Sequence, residues 1–190
     1  MTETEVRRLL VETGAILEGH FLLTSGLHSG LYVEKFQVLQ WPEHTARLCA
    51  ALAERFKGDG VQVVVGPVTG GVLLAHEIGK NLGTRAIFTE RENGRMTLRR
   101  GFAVEPGEKV LVVEDIVTTG GSVREVLEVV RGRGGDVAGV ALLVDRSGGQ
   151  ASFGVRTEAL LTLEVPAYRP ESCPLCAQGA PMTKRGRTGK

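Results

Sequence analysis

Short apolar runs alternate with helical segments from residue 61 onward, and this alternation constrains the fold more than any other feature of the sequence. The runs are "VQVVV" (61–65), "RAIF" (85–88), "VLVV" (110–113) and "VAGVALLV" (137–144). Helical patterns follow the first and the third run. Continuous apolar strands that alternate with helices are typical of parallel sheets covered on both faces. We therefore predict an α/β protein whose twisted, mainly parallel sheet is flanked by helices.

Polar, glycine-containing loops follow three of the predicted strands. They are "GPVTGG" (66–71), "EDIVTTGGS" (114–122) and "DRSGG" (145–149). Sheets of this kind bind ligands at the carboxyl ends of their strands. We therefore expect the functional site where these three loops meet.

The loop at 114–122 combines two features that favour different ligands. Glu114 and Asp115 end a buried strand, and carboxylates accept hydrogen bonds from hydroxyl groups. Ser122 and Glu125 have the spacing of a capping box, which predicts that residues 118–122 lie at a helix N-terminus, a site suited to phosphate. The alternative is an ordinary capped helix with both acids in solvent at the sheet edge. A sugar phosphate would satisfy both halves of the loop.

The rest of the chain predicts further helices and irregular segments. Residues 2–13 have a helical pattern, and a second helix follows Pro42, a residue suited to the first turn. Residues 20–40 predict turns and short strands. The polar segment 89–108 contains four arginines and an Asn-Gly turn signal, which predicts a hairpin or mobile loop.

Composition and charge exclude several classes of protein. The chain has 190 residues, 23 of them basic and 22 acidic, so a single domain is expected and no nucleic-acid partner is indicated. No apolar run approaches the ~20 residues that cross a bilayer, so we expect no membrane partner. The N-terminus lacks the apolar core of a signal peptide, which predicts a cytoplasmic protein.

The three cysteines are compatible with more than one kind of site. Three are too few for a disulfide framework. Cys173 and Cys176 form C-P-L-C, which could be half of a zinc site, a reversible disulfide or two unpaired thiols. The other candidate ligands are distant in sequence: Cys49, His20, His28, His44 and His76.

Four apolar residues, two acids and a Thr/Gly-rich loop resemble the phosphoribosyl-diphosphate motif of the type I phosphoribosyltransferases. Three further segments resemble orotate phosphoribosyltransferases within that family: "FLLTSGLHSGLY" (21–32), "GPVTGG" (66–71) and "VDRSGG" (144–149). The resemblance covers about residues 10–165. It implies a single Rossmann-like domain over 1–190, with a phosphoribosyl-diphosphate-binding core at 61–150. Residues 1–40 and about 160–190 would form a substrate-side hood and tail, and the basic hairpin would be flexible.

The resemblance also implies a reaction and its residues. Orotate and 5-phosphoribosyl 1-diphosphate would give orotidine 5′-monophosphate and diphosphate, with Mg²⁺ held by substrate oxygens and at most water-bridged to Asp115. Catalytic roles would fall to Asp115, Glu114 and Arg91. The phosphoribosyl diphosphate would be bound by Glu114, Asp115, Ile116, Val117, Thr118, Thr119, Gly120, Gly121, Ser122, Thr69, Gly70, Gly71, Arg91 and Arg95.

The base would be recognised by a second group of residues. Arg146 offers a guanidinium to the carboxylate of orotate, where the alternative for "DR" is a surface salt bridge. By resemblance Thr118 also faces orotate, and Tyr32 and Val33 flank the ring. The alternative functions are transfer to another base, or a regulatory RNA-binding protein on the same fold that would use the basic tail 184–190.

The basic loop departs from the family pattern. Relatives usually show Lys-x-x-Lys-x-His-Gly, whereas this chain has "RENGRMTLRR" (91–100), without lysine or histidine. Arginine can neutralise a leaving diphosphate but is no general acid at neutral pH. Arg91 is the strongest candidate because it directly follows "AIFTE" (86–90). In the family this loop crosses to the neighbouring site, which implies a homodimer.

Overall fold

A computed structural model describes residues 1–23 and 25–184 and contains two sheets. The helices are α1 (Glu3–Glu12), α2 (Phe36–Leu39), α3 (Pro42–Glu54), α4 (Gly70–Leu82), α5 (Gly121–Gly132) and α6 (Pro174–Ala177). The strands are β1 (Ile16–Leu22), β2 (His28–Val33), β3 (Val63–Pro67), β4 (Arg85–Glu92), β5 (Arg95–Leu98), β6 (Lys109–Val117), β7 (Asp136–Asp145), β8 (Thr157–Thr162), β9 (Ala167–Tyr168) and β10 (Met182–Lys184).

The larger sheet has six strands in the order β5-β4-β3-β6-β7-β8. Every pair in it is parallel except β4 with β5. Successive residues of the central strands face opposite sides: Val64 packs in the cluster that contains α3 and α4, and Val65 in the cluster that contains α5. The predicted mainly parallel sheet with helices on both faces is therefore confirmed.

The smaller sheet joins the two ends of the chain. Its order is β10-β1-β2-β9, so strands from the last quarter of the sequence flank the β1–β2 hairpin. Neither β9 nor β10 was predicted, because both are short and lie in polar, proline-containing sequence. The division of the domain into a core at 61–150 and a hood stays a prediction.

The basic segment forms the predicted hairpin. β4 and β5 pair antiparallel around Asn93 and Gly94, whose φ values of 51° and 81° are those of a tight two-residue turn. β4 is longer than "RAIF" and includes Arg91, so this arginine lies within the strand rather than after it.

Two interpretations of the sequence concern possible partners of the chain, a membrane and RNA. No helix within the described residues is long and apolar enough to cross a membrane. The basic tail 184–190, which the RNA-binding alternative would use, lies outside the described residues apart from Lys184.

Candidate active site at the carboxyl edge of the sheet

A cavity of about 580 Å³ lies where β3, β4 and β6 end. Its volume suits a small ligand. Its walls come from four separate segments of the chain, as the sheet topology predicts. The lining residues are Lys35, Pro67, Val68, Thr69, Glu90, Arg91, Met96, Glu114, Asp115, Ile116 and Ser122.

Asp115 is almost fully buried at the cavity wall, with an exposed fraction of 1%. Lys35 Nζ lies 2.9 Å from one of its carboxylate oxygens and 2.8 Å from the other. The backbone N–H of Ile116 donates to the Asp115 carboxylate at 2.6 Å. The acid is therefore held in one orientation by an ion pair and a backbone donor.

Lys35 is a site residue that was not singled out from the sequence. It lies directly after β2, 80 positions before its partner Asp115. The available signal was a lysine beside the apolar stretch "FQVL" (36–39), but nothing in the local sequence indicated a buried carboxylate as its partner.

Glu114 is also buried, and its oxygens already have donors. The backbone N–H of Asp115 donates to Glu114 at 3.0 Å, and the Ser122 hydroxyl donates at 2.6 Å. Burial, and secondly the neighbouring charge of Asp115, raises the pKa of Glu114 from 4.5 to about 7. The alternative in which both acids are solvated at the sheet edge is therefore wrong, and the two acids have different environments.

The raised pKa of Glu114 predicts how stability depends on pH. The folded protein holds this proton more tightly than the unfolded chain, so the free energy of unfolding should fall as pH rises from about 4.5 to about 7, by at most ~3 kcal/mol from this group. Urea unfolding of the unliganded protein across that range measures it. Glu114→Gln should remove this fall, and Glu128→Gln, at an exposed position of α5, should keep it. Equal profiles for all three proteins would contradict the prediction.

The Thr/Gly-rich loop leads into α5 differently from the expected capping box. Gly120 is the N-cap residue, with φ of 78°, and no side chain caps the helix. The Ser122 hydroxyl bonds Glu114 instead, and Glu125 pairs with Arg91. The capping box was therefore a wrong prediction, because the left-handed Gly120 places the N-cap two residues before Ser122. The first N–H groups of α5 have no acceptor within their own helix, and this N-terminus still lies beside the acids, as a phosphate site requires.

The loop "GPVTGG" packs against the acid pair. A Cβ atom at Gly70 would overlap the Asp115 carboxylate, and one at Gly66 would overlap the carbonyl oxygen of Gly71. Thr69 is exposed at the cavity, and the Val68–Thr69 peptide bond is cis. The absence of side chains at these glycines lets the start of α4 approach Asp115 closely.

The hairpin brings Arg91 to the cavity but not Arg95. The Arg91 guanidinium donates to Glu125 at 2.7 Å and to the carbonyl oxygen of Gly94 at 2.8 Å. Arg95 instead lines a separate depression with Glu125 and Glu128. The remaining loop arginines, Arg99 and Arg100, pair with Glu92 and Glu90.

Arg146 lies where β7 ends, next to the acid-bearing strand. Its backbone N–H donates to the carbonyl oxygen of Val117 at 2.7 Å. Its Nε is buried and has no hydrogen-bond partner among residues 1–23 and 25–184. Burial lowers the pKa of Arg146, and the nearby Tyr32 acts in the opposite direction. Asp145 accepts from Ser147 rather than from Arg146, so the surface salt bridge considered for "DR" is not what forms.

The other three residues expected to bind the base lie in three different environments. The Tyr32 ring packs on Phe21, with centroids 5.7 Å apart, and Tyr32 also neighbours Arg146. Thr118 is exposed in the loop before α5. Val33, expected beside the pyrimidine, is buried in the hydrophobic core with Ile16, so its side chain is not available to a ligand.

Comparison with known proteins agrees with this geometry. Residues 36–152 match the phosphoribosyl transferase domain family. The chain is 58% identical over 186 residues to an orotate phosphoribosyltransferase of Desulforamulus reducens, covering 98% of this chain and 97% of that protein. The corresponding protein of Pelotomaculum thermopropionicum is also 58% identical, with 98% of each chain covered.

A solved structure shows the same fold. Orotate phosphoribosyltransferase from Aeropyrum pernix superposes with a TM-score of 0.68 and 29% identity, covering 84% of this chain and 94% of that one. The fold and the acid-loop site define a phosphoribosyltransferase. With the identities to the curated relatives, the chain belongs to the orotate phosphoribosyltransferase family.

Proposed function

We propose that this chain transfers ribose 5-phosphate from 5-phosphoribosyl 1-diphosphate to orotate, giving orotidine 5′-monophosphate and diphosphate in pyrimidine biosynthesis. The observation that carries the proposal is the buried Nε of Arg146, which has no partner within the described part of the chain. Arg146 lies at the end of β7, next to the strand whose two acids wall the cavity. A buried N–H without a partner is costly, and the carboxylate of orotate would satisfy Arg146 Nε. The relatives that carry this activity in their names span nearly the whole chain.

The reaction forms a bond from an orotate nitrogen to the ribose carbon that carries diphosphate, and breaks the bond from that carbon to the diphosphate oxygen. The proton of that nitrogen is released to water or to the departing diphosphate. The ribose then passes through a state with oxocarbenium character. Asp115 would stabilise that positive charge, because its carboxylate is already desolvated and fixed by Lys35. The first turn of α5 would hold the 5-phosphate, and the loop at Thr69 would face the diphosphate.

The leaving group requires positive charge rather than a proton donor from the hairpin. Arg91 lines the cavity and can neutralise part of the diphosphate charge. In the structure its guanidinium is held by Glu125, so binding would exchange one carboxylate partner for a phosphate. Glu125 would therefore hold the Arg91 guanidinium in place until substrate binds.

The oxygen-rich walls of the cavity fit Mg²⁺, a hard cation that prefers oxygen ligands and retains several waters. Asp115 would hold the ion through a water, while the substrate supplies most of its ligands. When bound, Mg²⁺ would offset the negative charge of the diphosphate. A cytoplasmic location stays a prediction of the sequence.

We further propose a homodimer in which the hairpin reaches the partner's site. Large apolar side chains are exposed close to the cavity, among them Phe36, Val68 and Leu73. Such side chains are common at subunit interfaces. In the structure Arg91 lines the cavity of its own chain and is bound by Glu125. To reach the partner's site, Arg91 would have to leave Glu125 and bind the substrate held there.

Mixed dimers test whether Arg91 acts in the partner's site. Arg91→Ala and Asp115→Asn should each be poorly active alone. Co-expressed with different affinity tags, they should regain activity, approaching about a quarter of the wild-type sites in an equal mixture, because one site of each mixed dimer has both residues. No recovery in purified mixed dimers would place Arg91 in the site of its own chain.

The proposed reaction is tested by diphosphate release in the presence of phosphoribosyl diphosphate and Mg²⁺. Orotate should support release, and adenine, hypoxanthine and uracil should not, because none of these bases has a carboxylate for Arg146. Turnover of a purine without turnover of orotate would establish the alternative base transferase. Salt-sensitive RNA binding that is lost on removal of residues 184–190 would favour the regulatory alternative.

A further inference from the structure

Four potential metal ligands converge on the smaller sheet, away from the proposed active site. His20 belongs to β1, His28 to β2, and Cys173 and Cys176 to the segment that begins α6. Their ligand atoms all lie within 4.8 Å of one another. The sequence indicated only the C-P-L-C pair, because the two histidines are more than 140 positions away from it.

Four of the six ligand-to-ligand distances within this group are close to those around a tetrahedral metal ion. Sγ of Cys173 lies 3.6 Å and Sγ of Cys176 3.7 Å from His20 Nε2. Cys176 Sγ is 3.2 Å from His28 Nδ1, and the two histidine nitrogens are 3.0 Å apart. Zinc bonds of ordinary length in a tetrahedron place sulfur and nitrogen ligands about 3.5 Å apart and two nitrogens about 3.3 Å apart.

The orientation of His20 supplies a second, independent observation. His20 Nδ1 lies 2.9 Å from the carbonyl oxygen of Ala180, which makes Nδ1 the protonated nitrogen and leaves the lone pair of Nε2 facing the other three ligands. Metal-binding histidines usually have their second nitrogen fixed by such an acceptor. His20, His28 and Cys173 are also at most 5% exposed, so three of the four groups are buried together.

We propose that His20, His28, Cys173 and Cys176 bind one structural Zn²⁺ ion. Two thiolates and two imidazoles in a tetrahedral arrangement are a typical zinc ligand set. Four protein ligands leave no open position for substrate, so the ion stabilises structure and takes no part in the transfer reaction.

The ion would attach the C-terminal segment to the β1–β2 hairpin. Backbone pairing alone holds this segment weakly, since β10 pairs with β1 over three residues and β9 with β2 over two. β2 continues directly to Tyr32 and then to Lys35, which pairs with Asp115. The zinc site would therefore stabilise one end of a strand whose other end reaches the active site.

Metal analysis of the wild-type chain is the primary test. Protein prepared without chelator should contain about one zinc per chain, and Co²⁺ in its place should give thiolate-to-cobalt and tetrahedral d–d absorption bands. Cys176→Ser, at an exposed position, and His28→Ala should lose both signals. Cys49→Ala and His76→Ala, which change a cysteine and a histidine outside the group, should keep them.

Zinc removal should change the stability of the protein and leave its catalytic rate nearly unchanged. Zinc removal should lower Tm by more than about 5 °C and expose the chain to trypsin after Arg169, while kcat of the remaining folded protein changes less than about twofold. If a variant fails to fold, the zinc content and the Co²⁺ spectrum of the wild type still decide the question. A wild type without zinc and without cobalt bands, or one with a Cys173–Cys176 disulfide in place of metal, would overturn the proposal.

Discussion

Asp115→Asn is expected to lower kcat by at least about a hundredfold, or ~2.7 kcal/mol of transition-state stabilisation. The substitution keeps the shape of the side chain but removes its charge. That charge is 1% exposed and fixed by Lys35 and the N–H of Ile116, so water cannot replace it when positive charge develops on the ribose. Steady-state kinetics with saturating substrates measures the effect.

A folding effect must be separated from this catalytic effect. Asp115→Asn weakens a buried ion pair, so Tm should be measured beside kcat. Asp136→Asn is the matched control, because Asp136 is exposed at the start of β7, at the edge of the sheet opposite the cavity. If kcat of Asp115→Asn lies within about threefold of the wild-type value, the loss of transition-state stabilisation is below the ~1.36 kcal/mol of a tenfold change. That result would exclude a catalytic role for Asp115.

Arg146→Ala is expected to raise the KM for orotate about 30- to 100-fold, while the KM for phosphoribosyl diphosphate stays near its wild-type value. The guanidinium is partly buried and its Nε has no partner within the described part of the chain, so a bound carboxylate would gain a charge-assisted bond there. Removing the side chain loses that bond only for a ligand that has the carboxylate.

Two variants define the specificity of this effect. Arg146→Lys should restore part of the affinity, because an ammonium supplies charge without the planar pair of donors. Arg133→Ala, at an exposed position after α5, should leave both KM values unchanged. An unchanged orotate KM in Arg146→Ala would exclude Arg146 from the base site and would reopen the assignment of the base.

The sheet and its ligand edge could be predicted from the sequence because both depend on local patterns. Buried parallel strands are apolar along their length, and the loops that follow them carry the polar groups. The run "VLVV" therefore indicated both β6 and the position of Glu114 and Asp115. The stretch at 114–122 indicated a sugar phosphate, and the resemblance then implied which base is attached to it.

The failures arose where the outcome depends on distant residues or on one backbone angle. The ion pair of Lys35 with Asp115 and the grouping of His20 with Cys173 are set by topology, which spacing in the chain does not reveal. The capping box failed because Gly120 adopts a left-handed conformation and starts α5 early. Val33 has the alternation of a strand, but only the packing of the β1–β2 hairpin decides which of its faces is buried.

The contact between Gly70 and Asp115 limits how the site can be redesigned. Because any side chain at position 70 would overlap the carboxylate, the loop proposed to face the leaving group cannot gain bulk without displacing Asp115, the acid proposed to face the ribose. A change of leaving-group preference would therefore have to be engineered at Thr69 or in the hairpin. Gly70→Ala is therefore expected to displace the Asp115 carboxylate without removing its charge.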